Sequence, residues 1–293
     1  MDINTTLVRK LIADQFPQWS DLPIKSVEPG GWDNRTFRLG NAMLVRMPSA
    51  ENYVSQVDKE QRWLPYLAKH LPIQIPHVLA LGEPGHHYPW PWSVYQWIPG
   101  EDINQATDYN IGELAISVAS FIHELHNVDA SLGPTPGAHN YYRGDTLQLY
   151  DKDTRAYIAQ LAEDIDTDIA IELWSNATAT QWSKKPVWIH GDLEASNVLI
   201  SNTQMNAVID FGNCAVGDPA CDLVMAWTFF NSESRASFQA TLNIDAQTWE
   251  RGMAWALWKA LFRMTQSAKF RDDEFHRAKR IAQCLLSEFT DPT

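Results

Sequence analysis

Cysteine is scarce. The 293 residues hold three, Cys214, Cys221 and Cys284, too few and too scattered for a disulfide framework or a zinc site. A reducing cytoplasm is therefore the simplest setting. Basic residues are also in deficit: 23 Lys and Arg stand against 36 Asp and Glu, a net charge of −13 at neutral pH, which argues against a nucleic-acid-binding surface. No apolar run approaches the length of a membrane span. The start, MDINTTLVRKLIADQF, lacks the basic cluster and continuous apolar segment of a secretion signal. Internal repeats and low-complexity tracts are missing as well. What is present is an ordinary globular composition, 45% hydrophobic, in a chain long enough for one large domain or two lobes. The acidic excess would suit a cationic ligand, although solubility alone also explains it.

The residues able to do chemistry concentrate in 187–222, VWIHGDLEASNVLISNTQMNAVIDFGNCAVGDPACD. Two short apolar runs, 187–189 and 207–209, each end on a polar block. The first delivers His190, Asp192 and Asn197, and the second delivers Asp210-Phe211-Gly212. Between them 198–200 is a third apolar run, and 202–206 has the composition of a hairpin turn. Three strand-like pieces would thus hold Asp192, Asn197 and Asp210 in one crevice on short, stiff supports. Phosphoryl transfer needs such a set: one carboxylate orients the attacking hydroxyl and takes its proton, while a second carboxylate and an amide oxygen hold magnesium against the nucleotide phosphates. The spacing from Asp192 to Asn197, then an apolar strand and Asp210-Phe211-Gly212, reproduces the catalytic-loop and metal-loop pattern of protein kinases. Gly191 stands where protein kinases carry an arginine, which argues against a protein kinase regulated through that arginine. The plainer alternative is that these are turn Asp and Asn residues between core strands.

His190-Gly191-Asp192, Asn197, Asp210-Phe211-Gly212 and the following Gly217-Asp218-Pro219-Ala220-x-Asp222-Leu223 together resemble the aminoglycoside phosphotransferase family, small-molecule kinases with the protein-kinase-like fold. The resemblance implies an α+β, two-lobed fold. A small antiparallel-sheet lobe would span 1–98 and a mostly helical lobe 99–293, with the nucleotide between them. It implies ATP or GTP as phosphoryl donor, Mg2+ held by Asn197 and Asp210, Asp192 as the base, and His190 organising the catalytic loop by hydrogen bonding. Asp218 and Asp222 would fix the segment after the metal loop. Asp218, between a glycine and a proline, suits a turn-forming carboxylate.

The rest of the chain fits this frame. A helical rhythm over 5–16 precedes strands at 24–28, 36–39 and 42–47. The pair Gly30-Gly31 lies between the first two strands, where a glycine backbone can approach phosphates closely. Kinases place a phosphate-pairing cation on the third strand and hold it with a glutamate on the next helix. Here the residues are Arg46, in place of the usual lysine, and Glu60. Strands at 78–82 and 92–98 complete the sheet, and Gln96-Trp97-Ile98 falls at the hinge whose backbone meets the purine in kinases. Helices follow at 109–127, 160–174, 222–230, 245–264 and 272–289. His123 and His126 have no third ligand in sight and are expected to be helix-terminal cations rather than a metal pair.

The acceptor is the least legible part. The acidic stretch 160–174 offers Glu163, Asp164, Asp166, Asp168 and Glu172, either as a solvated helix face or as a grip for a polycation. Trp249, Trp255 and Trp258 are expected to be core, with stacking on an acceptor as the alternative. The leading expectation is a kinase acting on a hydroxyl of a small, cationic, aminoglycoside-like acceptor, with no nucleic-acid or membrane partner. Open beside it stand a metabolic kinase for an amino alcohol, a sugar, a homoserine-like compound or a macrolide, and a nucleotide-binding pseudokinase scaffold. Family resemblance alone would not imply antibiotic resistance.

Overall fold

The computed structural model of the chain describes residues 2–28 and 33–291. Gly30 and Gly31, the expected phosphate-covering pair, lie outside the described residues. In chain order the helices are α1 (Thr5–Gln15), α2 (Val54–Leu67), α3 (Ile111–Asn127), α4 (Asp151–Gln160), α5 (Thr167–Thr178), α6 (Met225–Thr228), α7 (Ser232–Leu242), α8 (Ala246–Ser267) and α9 (Asp273–Thr290). The strands are β1 (Ile24–Ser26), β2 (Asn34–Leu39), β3 (Met43–Pro48), β4 (Val78–Gly82), β5 (Trp92–Gln96), β6 (Glu101–Asp102), β7 (Val187–Ile189), β8 (Val198–Ser201), β9 (Gln204–Val208) and β10 (Ala215–Gly217). Packing divides the chain into two compact units, residues 1–106 with 197–213, and 107–196 with 214–293.

The first unit is built on an antiparallel sheet in the order β1-β2-β3-β5-β4. Alternation fixes its register: Phe37 and Leu39 of β2 and Val45 and Met47 of β3 point to one face, where they pack with Trp92 and Val94 of β5. Helix α1 lays Val8, Leu11 and Ile12 on that same cluster. It starts where Asn4 accepts hydrogen bonds from the amides of Thr6 and Leu7, as an Asx N-cap should. The sequence expectation put the boundary at 98/99, whereas the hairpin β8–β9 packs with residues 1–106. The cause is hydrogen bonding: β6 pairs with β8, and the Val208 amide donates to the Gln74 carbonyl at 3.0 Å. The hairpin turn is also tighter than expected from composition. Only Asn202 and Thr203 turn, both at positive φ (50° and 68°), and Ser201 already pairs with Gln204.

The second unit is mostly helical. Its one ladder among the described residues besides the helices pairs β7 with β10, Ile189 opposite Ala215. Helix α3 buries Leu114, Ala115, Val118, Ile122 and Leu125 at helical spacing, and α8 buries Met253, Leu257, Leu261 and Met264. The helix expected over 160–174 starts later than the spacing suggests: α4 ends at Gln160, residues 161–166 turn, and α5 begins at Thr167. Asp166 accepts from the amides of Asp168 and Ile169, so its short side chain caps a new helix rather than continuing the old one. Helix α7, capped by Asn231, was not expected from the sequence. His126 is not a helix-terminal cation: burial, with His123 nearby, lowers its pKa to about 4, so it is neutral. No described helix is long and apolar enough to cross a membrane.

Candidate functional site

In the first unit, Arg46 occupies the middle of β3, between β2 and β5. Its fork spans two carboxylates. Nη1 donates to the Glu60 carboxylate at 3.1 and 3.3 Å, and Nη2 donates to Asp210 Oδ1 at 2.8 Å. Glu60, buried on α2, also accepts from the Tyr95 hydroxyl. Burial raises the Glu60 carboxyl while Arg46 opposes the rise, and the surrounding carboxylates hold the Arg46 guanidinium protonated despite burial. Both sequence-assigned partners therefore meet, and Asp210 joins them.

Asp210 sits at φ 68°, a left-handed backbone unusual for a residue other than glycine. Two ties hold it there. The amide of the preceding Ile209 donates to the Asn197 carbonyl at 2.9 Å, which brings the assigned metal residues to one place. On the other side, Lys59 of α2 donates to the Gly212 carbonyl at 2.7 Å. A side chain at 212 would meet Gln56 Cδ at 2.8 Å, so any larger residue would have to displace the Gln56 side chain where α2 closes on the metal loop. Asp33, at the mouth of β2, is drawn into the group: burial, then the Asp210 charge, raises its pKa above the ordinary carboxylate value. Asp33 and Asp210 are two like-charged carboxylates that one divalent cation would neutralise. Among the described residues there is no cluster of three or more His, Cys, Asp or Glu placed for a metal. Magnesium needs none, since it binds through one or two carboxylates, waters and substrate phosphates.

The hinge residues are partly committed elsewhere. The Gln96 amide donates to the His77 carbonyl and the Trp97 amide to the Ala42 carbonyl, both at 2.8 Å. These two donors are thus spent within the sheet. Arg38 lies over the Trp97 ring at 3.7 Å, and Ile98 is half-buried.

In the second unit, β7 delivers His190 and Asp192. Asp222, fully buried, accepts from the His190 amide at 2.6 Å and the Gly191 amide at 2.8 Å. The Asp192 amide donates to His190 Nδ1 at 3.3 Å. Gly191 adopts φ 81°, which explains why glycine rather than arginine precedes the aspartate here. Asp218 also caps its own turn, through the Ala220 amide, and forms a buried pair with Arg251 of α8 at 2.7 Å.

The Asp192 carboxylate is one-third exposed (34%), and Lys259 of α8 donates to its Oδ1 at 2.8 Å. Burial alone would raise the Asp192 carboxyl, but Lys259, Arg143 and His190 override it and hold the pKa at about 2. Burial conversely lowers Lys259 to about 8, with Arg143 adding to the fall and Asp192 opposing it. Lys259 also pairs with Glu194, which binds Arg263 at 2.6 Å.

Sequence reasoning missed Asp33, Lys59, Arg143, Glu194 and Lys259. Glu194 lies inside the motif and could have been flagged by its spacing. Lys259 carries no such signal, because a lysine on an amphipathic helix is ordinarily solvent-facing. The acidic stretch changes its meaning too. Asp164 binds Lys279 at 2.9 Å and also Arg271, and Asp166 is a helix cap. Both line a cavity of about 430 Å³ between α5 and α9, together with Ile169, Gln283 and Leu286.

Comparison with known proteins bears on the family and the fold. A model of the phosphotransferase enzyme family matches residues 26–256. No curated protein sequence matches the chain. Among solved structures, an aminoglycoside phosphotransferase with GDP and kanamycin superposes with a TM-score of 0.71 at 19% identity, over 98% of this chain and 99% of the other. A ternary complex of a related enzyme with streptomycin and ATP gives 0.62 at 18%, over 99% of each chain. A type I macrolide 2'-phosphotransferase gives 0.63 at 18%, over 97% of this chain and 99% of that one. At these identities the likeness is one of fold, the two-lobed kinase-like arrangement expected from the motifs.

Proposed function

The chain belongs to the phosphotransferase enzyme family, and on that footing we propose that it transfers the γ-phosphoryl group of a nucleoside triphosphate to a hydroxyl of a small-molecule acceptor, with Asp192 as the base. The observation that carries the reading is the Arg46 fork, which ties Glu60 and Asp210 together as a nucleotide-facing cation would require. Arg46 steadies the nucleotide phosphates. Asn197 and Asp210, with Asp33 close by, would hold Mg2+, which when bound supplies neutralisation of the phosphate charge. Asp192 stays ionised because Lys259 holds it, so it accepts a hydrogen bond from the acceptor hydroxyl and orients its oxygen on the γ-phosphorus. As that oxygen–phosphorus bond forms, the bond to the leaving diphosphate oxygen breaks and the hydroxyl proton passes to Asp192. His190 does no proton transfer; it fixes the loop through Nδ1. Gln96-Trp97-Ile98 and Gly30-Gly31 remain assigned to the base and phosphates. The scarcity and scatter of the three cysteines support a cytoplasmic setting.

Two acceptor classes are distinguished. An aminoglycoside-like cation is favoured by the net charge of −13 and by the antibiotics bound to the structural relatives. A less cationic alcohol is favoured by the surroundings of Asp192, where Lys259 and Arg143 would repel a polycation. Release of nucleoside diphosphate by the purified protein with Mg2+, across aminoglycosides, macrolides, sugars, amino alcohols and hydroxy acids, decides between them. Diphosphate release that survives Asp192→Asn undiminished would refute the assigned base.

A further inference from the structure

Arg143 is the cation near Asp192 that the mechanism does not use. Lys259 is paired with Asp192 and Glu194, and Arg263 with Glu194 and Glu274. Arg143, by contrast, makes no ion pair with a carboxylate among the described residues. One of its nitrogens donates to the Tyr150 hydroxyl at 3.2 Å. Its guanidinium lies 4.4 Å from the centroid of Trp258, 5.1 Å from Trp255 and 5.7 Å from Tyr150. Phe262 stacks on Trp258, parallel to it within 9°. The indole nitrogen of Trp255 is buried and makes no hydrogen bond among the described residues. The guanidinium charge reaches the reacting carboxylate, since it lowers the proton affinity of both Asp192 and Lys259.

An arginine packed on aromatic rings is held with its planar donor edge ready for a bidentate oxyanion, and a half-buried guanidinium with no direct ion pair keeps donors to offer one. We infer that Arg143, with Lys259 beside it, forms an oxyanion-binding subsite next to Asp192 that takes a phosphate or carboxylate group. The inference rests on the kinase reading in placing the reacting centre at Asp192. The oxyanion has two possible sources, the phosphoryl group in transfer or an acidic substituent of the acceptor.

Inorganic phosphate titrated into the full-length protein tests this without turnover. Trp255 and Trp258 touch Arg143, so tryptophan emission should change along a saturable curve, with calorimetry giving the same constant. Arg143→Ala should raise the apparent Kd for phosphate by roughly tenfold or more, the loss of a charge-assisted pair. Arg143→Lys should recover part of that loss. Asp192→Asn, which removes a neighbouring negative charge, should tighten binding. Should Arg143→Ala fail to fold by circular dichroism, Arg143→Gln replaces it. No saturable response, or equal binding by the wild type and the folded variant, overturns the subsite.

Competition identifies the source. Displacement of phosphate by a non-hydrolysable Mg2+–nucleoside triphosphate but not by the diphosphate assigns the phosphoryl group. Binding undisturbed by either assigns an acidic acceptor. Displacement by the diphosphate as well places the ion in the nucleotide's own phosphate site and overturns the proposal. A retained phosphate curve with no diphosphate release on any acceptor would count against the kinase reading and leave the subsite standing.

Discussion

At the scale of single residues, the proposed chemistry would depend on two cations, Arg46 and Lys259, each tied to two carboxylates. Arg46 was legible, because a basic residue on the third strand and a glutamate on the next helix recur in the pattern the motifs suggested. Lys259 was not, since its meaning comes from α8 crossing the catalytic loop, a contact between positions 67 apart in sequence. Arg46→Ala should lower kcat/KM for the nucleotide by roughly 10²-fold, the usual loss for one preorganised donor. Steady-state kinetics with the nucleotide varied would check it, and an unchanged value would remove Arg46 from the site.

Lys259 makes a separate statement about pH. Its folded pKa of about 8 lies below the ordinary value of 10.5, so between those values the unfolded chain binds more protons than the folded one. Unfolding free energy must then rise with pH in that window on account of this group, and stay level below it. Denaturant unfolding at pH 7.5 and 9.5 should show wild type gaining on Lys259→Met at the higher pH. An equal difference at both values would mean that Lys259 is not depressed.

At the scale of elements, the loops are set by backbone conformation more than by side-chain contacts. Gly191 at φ 81° with its amide on Asp222 shows why the motif has glycine. Gly191→Ala should destabilise the protein by about 1–2 kcal/mol, the cost of forcing a Cβ into the left-handed region. Its midpoint in denaturant reports that cost, and activity should fall with it because Asp192 is the next residue. The strands of the catalytic block were readable from their apolar runs and turn residues. The break between α4 and α5 was not, because the apolar spacing of Leu161, Ile165 and Ile169 runs through it and only the capping role of Asp166 reveals it. Periodicity records which face is buried, and a turn followed by a helix can bury the same face as one continuous helix.

At the scale of the whole molecule, sequence order and packing units part company. The chain enters the first unit again at 197–213, so Asn197 and Asp210 belong with Arg46 and Glu60, while His190 and Asp192 are organised by α8 and Asp222. Residues 187–222 form one block along the chain, yet its halves have separate supports that no local pattern signals, because strand pairing between β6 and β8 is non-local. Asp218, legible as a turn former, proves also to be the counter-ion of Arg251, which is only 2% exposed. Asp218→Ala should therefore cost about 3–5 kcal/mol by leaving that charge buried and unpaired. Adding Arg251→Met should recover much of it, and chemical denaturation of the single and double variants measures both.

The central claim is that one carboxylate handles the acceptor and another the metal-bound nucleotide. Calorimetric titration of Mg2+–nucleotide into the wild type, Asp192→Asn and Asp210→Asn, with turnover measured on the same samples, tests it most directly. The account expects Asp192→Asn to bind nucleotide as the wild type does while losing turnover by about 10²–10⁴-fold, and Asp210→Asn to lose magnesium-dependent binding as well. Equal loss of nucleotide affinity in both variants, or full turnover in Asp192→Asn, would contradict it.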